Sequence, residues 1–166
     1  MDAGPFGPEV SGDTLLTTAA IALGSNLGDR VSHLDHAVAR LHAFIRKLKV
    51  SRYYETAPIG VTGPQPLFLN AAAVGETDLS ARVLLDALLA IERERGRERP
   101  YENAPRTLDL DLILFGDLTV DEAGLVIPHP RFRERRFVLE PLAEIAPDFH
   151  EPVTRLTVAE LLDKLS

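Results

Sequence analysis

Asp109-Leu110-Asp111 is the segment of this chain with the plainest chemical meaning. In a strand, side chains two apart share a face, so the two carboxylates stand side by side at roughly 6–7 Å. On a half-buried strand such a pair repels and loses hydration, which works against folding. A hard divalent cation removes that cost, and Mg²⁺ is typically held by one or two carboxylates together with substrate phosphates. The competing reading is an exposed sheet face whose aspartates pair with arginines. Arg106 just upstream, at the end of an arginine-rich segment, favours the metal.

That segment is the second signal. Arg97, Arg99 and Arg106 flank a ten-residue polar stretch punctuated by Pro100 and Pro105. Guanidinium groups suit multi-point phosphate recognition, and a loop of this kind beside a carboxylate strand is placed to act as a lid. Arg93 and Arg95 fit better as a solvated helix end paired with neighbouring glutamates. The third signal is Pro128-His129-Pro130, followed by Arg131, Arg133, Arg135, Arg136 and Phe137. A histidine held between prolines can donate to a phosphoryl oxygen, although taken alone the tripeptide fits a surface turn as well. Phe68-Leu69-Asn70 puts an aromatic ring and an amide on one strand face, which suits a flat heteroaromatic ligand or a plain core.

Other motifs point away from chemistry. Gly24-Ser25-Asn26-Leu27-Gly28 lacks the Lys-Ser/Thr ending of a phosphate loop and the third glycine of a dinucleotide fingerprint. It reads as a tight turn entering a helix. His33 and His36 lie one helical turn apart but flank the apolar stripe and read as solvent-facing. There is no cysteine, which excludes a disulfide scaffold, a zinc ribbon and a thiol nucleophile.

Periodicity supplies the elements that must position these groups. Thr14 to Leu23 is a strand, and Val31, Leu34, Val38, Leu41, Ile45 and Leu48 make one stripe of a helix starting at Asp29. Residues 48–56 and 68–76 read as strands, with a Pro/Gly loop between them. A helix from Ser80 as N-cap to Arg95 follows. Leu108, Leu110, Leu112 and Leu114 alternate with Asp109, Asp111, Ile113 and Phe115 in the next strand. Short strands at 118–121 and 124–127, a helix at 132–145 and another at 157–165 complete the chain. The order β-α-β-β-α-β predicts an α+β, ferredoxin-like core, an antiparallel sheet covered by helices. Residues 1–13, rich in Gly, Pro and acid, read as a mobile leader ahead of a single domain over 14–166.

Composition bounds the partners. At 166 residues, 45% hydrophobic and 26% charged, the chain has the make-up of a globular domain. A net charge of -7 argues against a nucleic-acid binder. Yet nine of the 18 Lys and Arg residues fall within 93–106 and 131–136, a pattern suited to a local anionic ligand. No apolar run approaches the roughly 18–20 residues that span a bilayer, and the N-terminus lacks the pattern of a signal peptide. The expectation is a cytoplasmic monomer with small-molecule substrates.

Four segments together resemble the 6-hydroxymethyl-7,8-dihydropterin pyrophosphokinase family of folate synthesis. They are Ala22 to Asp29, Phe68-Leu69-Asn70-Ala71, Pro105-Arg106-Thr107-Leu108-Asp109-Leu110-Asp111-Leu112, and Pro128-His129-Pro130 with Arg135 and Phe137. The resemblance runs from about residue 17 to 150. It implies transfer of a pyrophosphoryl group from ATP to the pterin hydroxymethyl group with release of AMP. By the same resemblance Asp109 and Asp111 hold two Mg²⁺ ions. Phe68 and Phe137 sandwich the pterin, Asn70 bonds its polar edge, and Thr56, Ala57, Pro58 and Ile59 line it. Glu92, Arg97, Arg99, Arg106, His129 and Arg135 match the ATP site. Asp109, Asp111, Arg97, Arg106 and His129 are the expected catalytic set. A metal-dependent nucleotidyl transferase, releasing pyrophosphate, and a non-enzymatic ferredoxin-like ligand-binding domain are the alternatives.

Overall fold

The two runs richest in alanine and other small residues become the central strands of the sheet. The structure, a computed structural model, describes residues 16–57, 67–96 and 107–166. In chain order these form β1 (Thr17–Ser25), α1 (Arg30–Leu41), β2 (Arg46–Val50), β3 (Tyr54–Thr56), β4 (Phe68–Thr77), α2 (Ala81–Glu94), β5 (Asp109–Phe115), β6 (Val120–Glu122), β7 (Leu125–Ile127), α3 (Arg136–Ile145) and α4 (Val158–Asp163), with a 3-10 turn at Phe132–Glu134. The leader expected over 1–13, Pro58, Ile59, Arg97, Arg99 and Arg106 lie outside the described residues.

β2, β4, β1 and β5 lie in that order, every pair antiparallel, and β3 also pairs with β4. β2 and β3 are thus one edge strand in two pieces. Ser51 fills the break: its N–H donates to the Ala72 carbonyl and its hydroxyl oxygen accepts from the Ala72 N–H, both at 2.9 Å. The arrangement is the expected α+β, ferredoxin-like βαββαβ core, with β6 and β7 forming a separate hairpin.

Helices cover both faces. Leu34, Ala37 and Leu41 of α1 and Leu84, Leu88 and Ile91 of α2 pack on Ile21, Leu23, Leu69, Ala71, Leu110 and Leu112. On the other face Val138, Leu139 and Leu142 of α3 and Val158 and Leu161 of α4 pack with Phe132 on Ala20, Ala72, Val74, Ile113 and Leu114. Asp29, Ser80 and Thr157 cap α1, α2 and α4 by accepting a backbone N–H with their side chains, each worth about 1 kcal/mol.

Five sequence expectations need correction. The stripe assigned to one helix as far as Leu48 is divided: α1 ends at Leu41, and Leu48 belongs to β2. Ile45 still reaches the core, because pairing with β4 brings its methyl against Gly75, into the space that a Cβ there would need. β1 continues through Gly24 to Ser25 instead of stopping at the glycine. Strict alternation in β5 fails after Ile113. Ala20 pairs with Leu114 but Ile21 with Leu112, so the bulge turns Leu114 to the α3 face and Phe115 to the α1/α2 face. His33 and His36 do not simply face solvent. His33 Nδ1 accepts from Arg95 Nε at 3.0 Å, and His36 Nε2 lies 2.8 Å from Glu94 Oε1. Among the described residues Arg95 therefore takes His33 and Ser32 as partners, not a glutamate.

Candidate active site

One sheet face carries both the α3 core and the candidate chemistry. Strand register sets out the rows: Asn70 pairs with Gly24, which pairs with Asp109, and one row on, Ala72, Ala22 and Asp111 align. Two inter-strand spacings separate the Asn70 and Asp109 positions, about 10 Å. Phe68, Gly24, Asp109 and Asp111 are partly exposed. The expected common face of Phe68 and Asn70, and of Asp109 and Asp111, is what the pleat produces.

Gly24 is the floor between them. A Cβ there would stand 3.2 Å from Asn70 Oδ1, so the glycine leaves that oxygen's surroundings open. Asn70 is 6% exposed, and its amide donates to Thr56 Oγ1 at 2.5 Å. The Thr56 hydroxyl hydrogen and the Asn70 carbonyl oxygen stay available to a ligand. Ala57 is exposed at the end of β3, and Phe137 stands partly buried in the first turn of α3, with the Arg135 guanidinium 5.6 Å from its ring centre.

β5 brings the aspartates to His129. The His129 N–H donates to the Ile113 carbonyl at 3.0 Å, which seats the histidine beside the strand. Burial pushes its imidazole below the ordinary pKa, nearby Asp111 pulls it up, and Arg135 and Arg131 push it down again. His129 Nδ1 accepts the Arg131 N–H at 3.2 Å. The neutral ring therefore carries its proton on Nε2, a donor for an anionic ligand.

Glu92 sits differently. It is buried on α2, and its Oε2 accepts the N–H of Leu110 at 2.7 Å, gripping the backbone between the two aspartates. The two loop ends are also tied, since Thr107 Oγ1 donates to the Arg95 carbonyl at 2.6 Å. Behind the His129–Arg135 segment, Arg133 forks onto Glu151, with Nε 3.1 Å and Nη2 2.7 Å from its oxygens, while Val153 and Thr154 donate to the same carboxylate. Burial alone would raise the Glu151 pKa, but these donors hold it down to about 2.

The donor set suits Mg²⁺. Among the described residues no three His, Asp or Glu side chains form a metal-binding group. Two hard carboxylates on one partly exposed strand face leave the remaining coordination to substrate oxygens, as Mg²⁺ favours. A cleft of about 950 Å³ at the other end of the sheet mixes Lys47, Lys49 and His150 with Glu76, Asp117 and Asp148. None of the candidate residues lines it.

Sequence reasoning missed Gly24 as a floor, the grip of Glu92 on Leu110 and the Arg133–Glu151 brace. Only register or helix docking reveals the first two. The third left a weak signal in the alternating arginines after Pro130.

The family model for 7,8-dihydro-6-hydroxymethylpterin-pyrophosphokinase matches residues 20–147. The 2-amino-4-hydroxy-6-hydroxymethyldihydropteridine pyrophosphokinase of Bacillus subtilis is 46% identical over 138 residues, 82% of each chain. The protein of the same name from Synechocystis sp. is 41% identical over 150 residues, 89% of this chain and 75% of that one. In fold, the crystal structure of wild-type Plasmodium falciparum HPPK-DHPS matches with a TM-score of 0.72 at 16% identity, over 90% of this chain. The chain spans 44% of that longer protein.

Proposed function

The chain belongs to the 7,8-dihydro-6-hydroxymethylpterin-pyrophosphokinase family, and on that premise we propose how its residues divide the work. The activity is pyrophosphoryl transfer from ATP to the hydroxymethyl group of 6-hydroxymethyl-7,8-dihydropterin in folate biosynthesis, with AMP released. The nucleotidyl transferase and non-enzymatic alternatives are not favoured.

In the proposed site Asn70 and Thr56 bond the polar edge of the pterin, Phe68 and Phe137 take its two ring faces, and Ala57, Pro58 and Ile59 line it. ATP lies over β5, contacted by His129, Arg135, Arg97, Arg99 and Arg106, with Glu92 as part of that site. Asp109 and Asp111 would hold two Mg²⁺ ions, which when bound neutralise phosphate charge and lower the pKa of the attacking hydroxyl. The hydroxyl oxygen forms a bond to the β-phosphorus, its proton passes to solvent, and the bond from that phosphorus to the α-β bridging oxygen breaks, its electron pair leaving with AMP. No covalent enzyme intermediate is required, so the protein acts by positioning and charge stabilisation. Neutral His129 supports this by offering Nε2–H to a phosphate oxygen, and Arg135 adds a fixed positive charge. Residues 14–166 act as one domain, in a cytoplasmic monomer. No helix among the described residues is long and apolar enough to cross a membrane.

The observation that carries this reading is the row Asn70–Gly24–Asp109, which sets an amide and a carboxylate strand on one face about 10 Å apart. The test is to incubate the protein with ATP, Mg²⁺ and the dihydropterin and resolve the nucleotides. Pterin-dependent AMP is expected. ADP would make the protein an ordinary kinase, and pyrophosphate a nucleotidyl transferase; either overturns the reading.

A further inference from the structure

We propose that Arg30 is a positioning residue for the pterin, a clamp that fixes β3 against the start of β4. The inference rests on the reading that Thr56 and Phe68 contact that substrate.

Arg30 is the first residue of α1, whose first turn holds no acidic residue. The positive end of a helix dipole disfavours a cation, so local helix electrostatics do not explain an arginine there. Its contacts do. Nη1 donates to the Leu67 carbonyl at 2.7 Å, and Nη2 donates to Glu55 Oε2 at 3.1 Å. Leu67 and Glu55 are the residues immediately before Phe68 and Thr56, which pair across the two strands. One planar guanidinium, with its N–H directions fixed relative to one another, thus sets both neighbours of the proposed pterin contacts at once.

β3 needs such a clamp. It is three residues long and among the described residues pairs with β4 alone. Its start is anchored by Tyr54, whose hydroxyl donates to Glu144 Oε1 at 2.5 Å. Its end, where Thr56 stands, is held by the Asn70–Thr56 bond and by Arg30. The Arg30 side chain is 28% exposed and that of Glu55 55%. The ion pair alone is therefore weak, and the charge-assisted bond to the Leu67 carbonyl is the stronger arm.

The test is steady-state kinetics with both substrates varied, on the unaltered enzyme and on Arg30→Ala, Glu55→Ala, the double variant and Asn70→Ala. In Arg30→Ala the pterin KM should rise about tenfold, while kcat and the ATP KM stay within about twofold. Glu55→Ala keeps the Leu67 bond and should show a smaller rise, and the double variant should be no worse than Arg30→Ala. A merely structural role would move both KM values and the melting temperature together. Should Arg30→Ala not fold, Arg30→Lys carries the same test, because lysine keeps the charge but lacks the planar fork that reaches Leu67 and Glu55 together. An unchanged pterin KM, or an ATP KM that rises in step, overturns the clamp. If Asn70→Ala raises the pterin KM and the Arg30 and Glu55 variants do not, the clamp alone is wrong. If Asn70→Ala also leaves it unchanged, the pterin-site reading falls with it.

Discussion

The two halves of one sheet face are built from the same strands and do opposite things. Toward the C-terminal end of α3, Ala20, Val74, Ile113 and Leu114 are sealed under Leu139, Leu142 and Phe132. Toward the other end, the same β1, β4 and β5 present Gly24, Asn70 and Asp109 in one row and Asp111 in the next, and all but the buried Asn70 are partly exposed. Burial of apolar area stabilises the first half at roughly 25 cal/mol per Å². The second half gains little from apolar burial and carries the carboxylate pair Asp109 and Asp111 on a partly exposed face. Stability and chemistry are thus segregated along the strand direction, separated by little more than one turn of β-pleat at Ala22 and Ala72.

Substitutions on either side should separate cleanly. Asp111→Ala is expected to lower kcat on the order of a thousandfold with little loss of stability. Leu139→Ala, from the sealed half, is expected to cost about 2–5 kcal/mol in urea unfolding while the folded fraction keeps its KM for both substrates. A Leu139→Ala protein of full stability, or an Asp111→Ala protein with full turnover, would break the division.

Glu151 extends the contrast to pH. Its carboxyl is depressed from 4.5 to about 2 in the folded chain, so its contribution is complete above 4.5 and is lost as pH falls through about 2. Glu151→Gln should cost about 3 kcal/mol near neutral pH, and the gap to the unaltered protein should narrow between pH 4.5 and 2. Parallel stability curves for the two proteins across that range would contradict the assignment. The smallest effect is expected at the boundary. Gly24→Ala places a methyl 3.2 Å from Asn70 Oδ1 and should raise the pterin KM about fivefold, the loss of about one hydrogen bond. Its ATP KM should not change.

Much of this was legible before the structure. The alternation read over 108–115, which holds as far as Ile113, and the Ser80 N-cap before α2 were enough for the element order there, and side-chain alternation alone put Asp109 with Asp111 and Phe68 with Asn70. What escaped depends on partners distant in sequence. The apolar spacing from Leu41 to Leu48 fits a helix until β4 supplies a strand to pair with. The bulge at Ile113 exists only relative to β1. Glu92 looks like any helical glutamate until α2 docks beside β5 and its carboxylate meets the Leu110 amide. His33 and His36 acquire their roles from α2 in the same way.

The central claim is that the open half of the face assembles ATP and metal on Asp109 and Asp111. The most direct measurement counts Mn²⁺ ions bound per chain, by electron paramagnetic resonance, in the presence of the dihydropterin and α,β-methylene ATP, whose α-β link cannot be cleaved. The account predicts two ions on the unaltered protein and loss of that binding in Asp109→Ala and Asp111→Ala chains that remain folded. Two ions retained by either variant would contradict it.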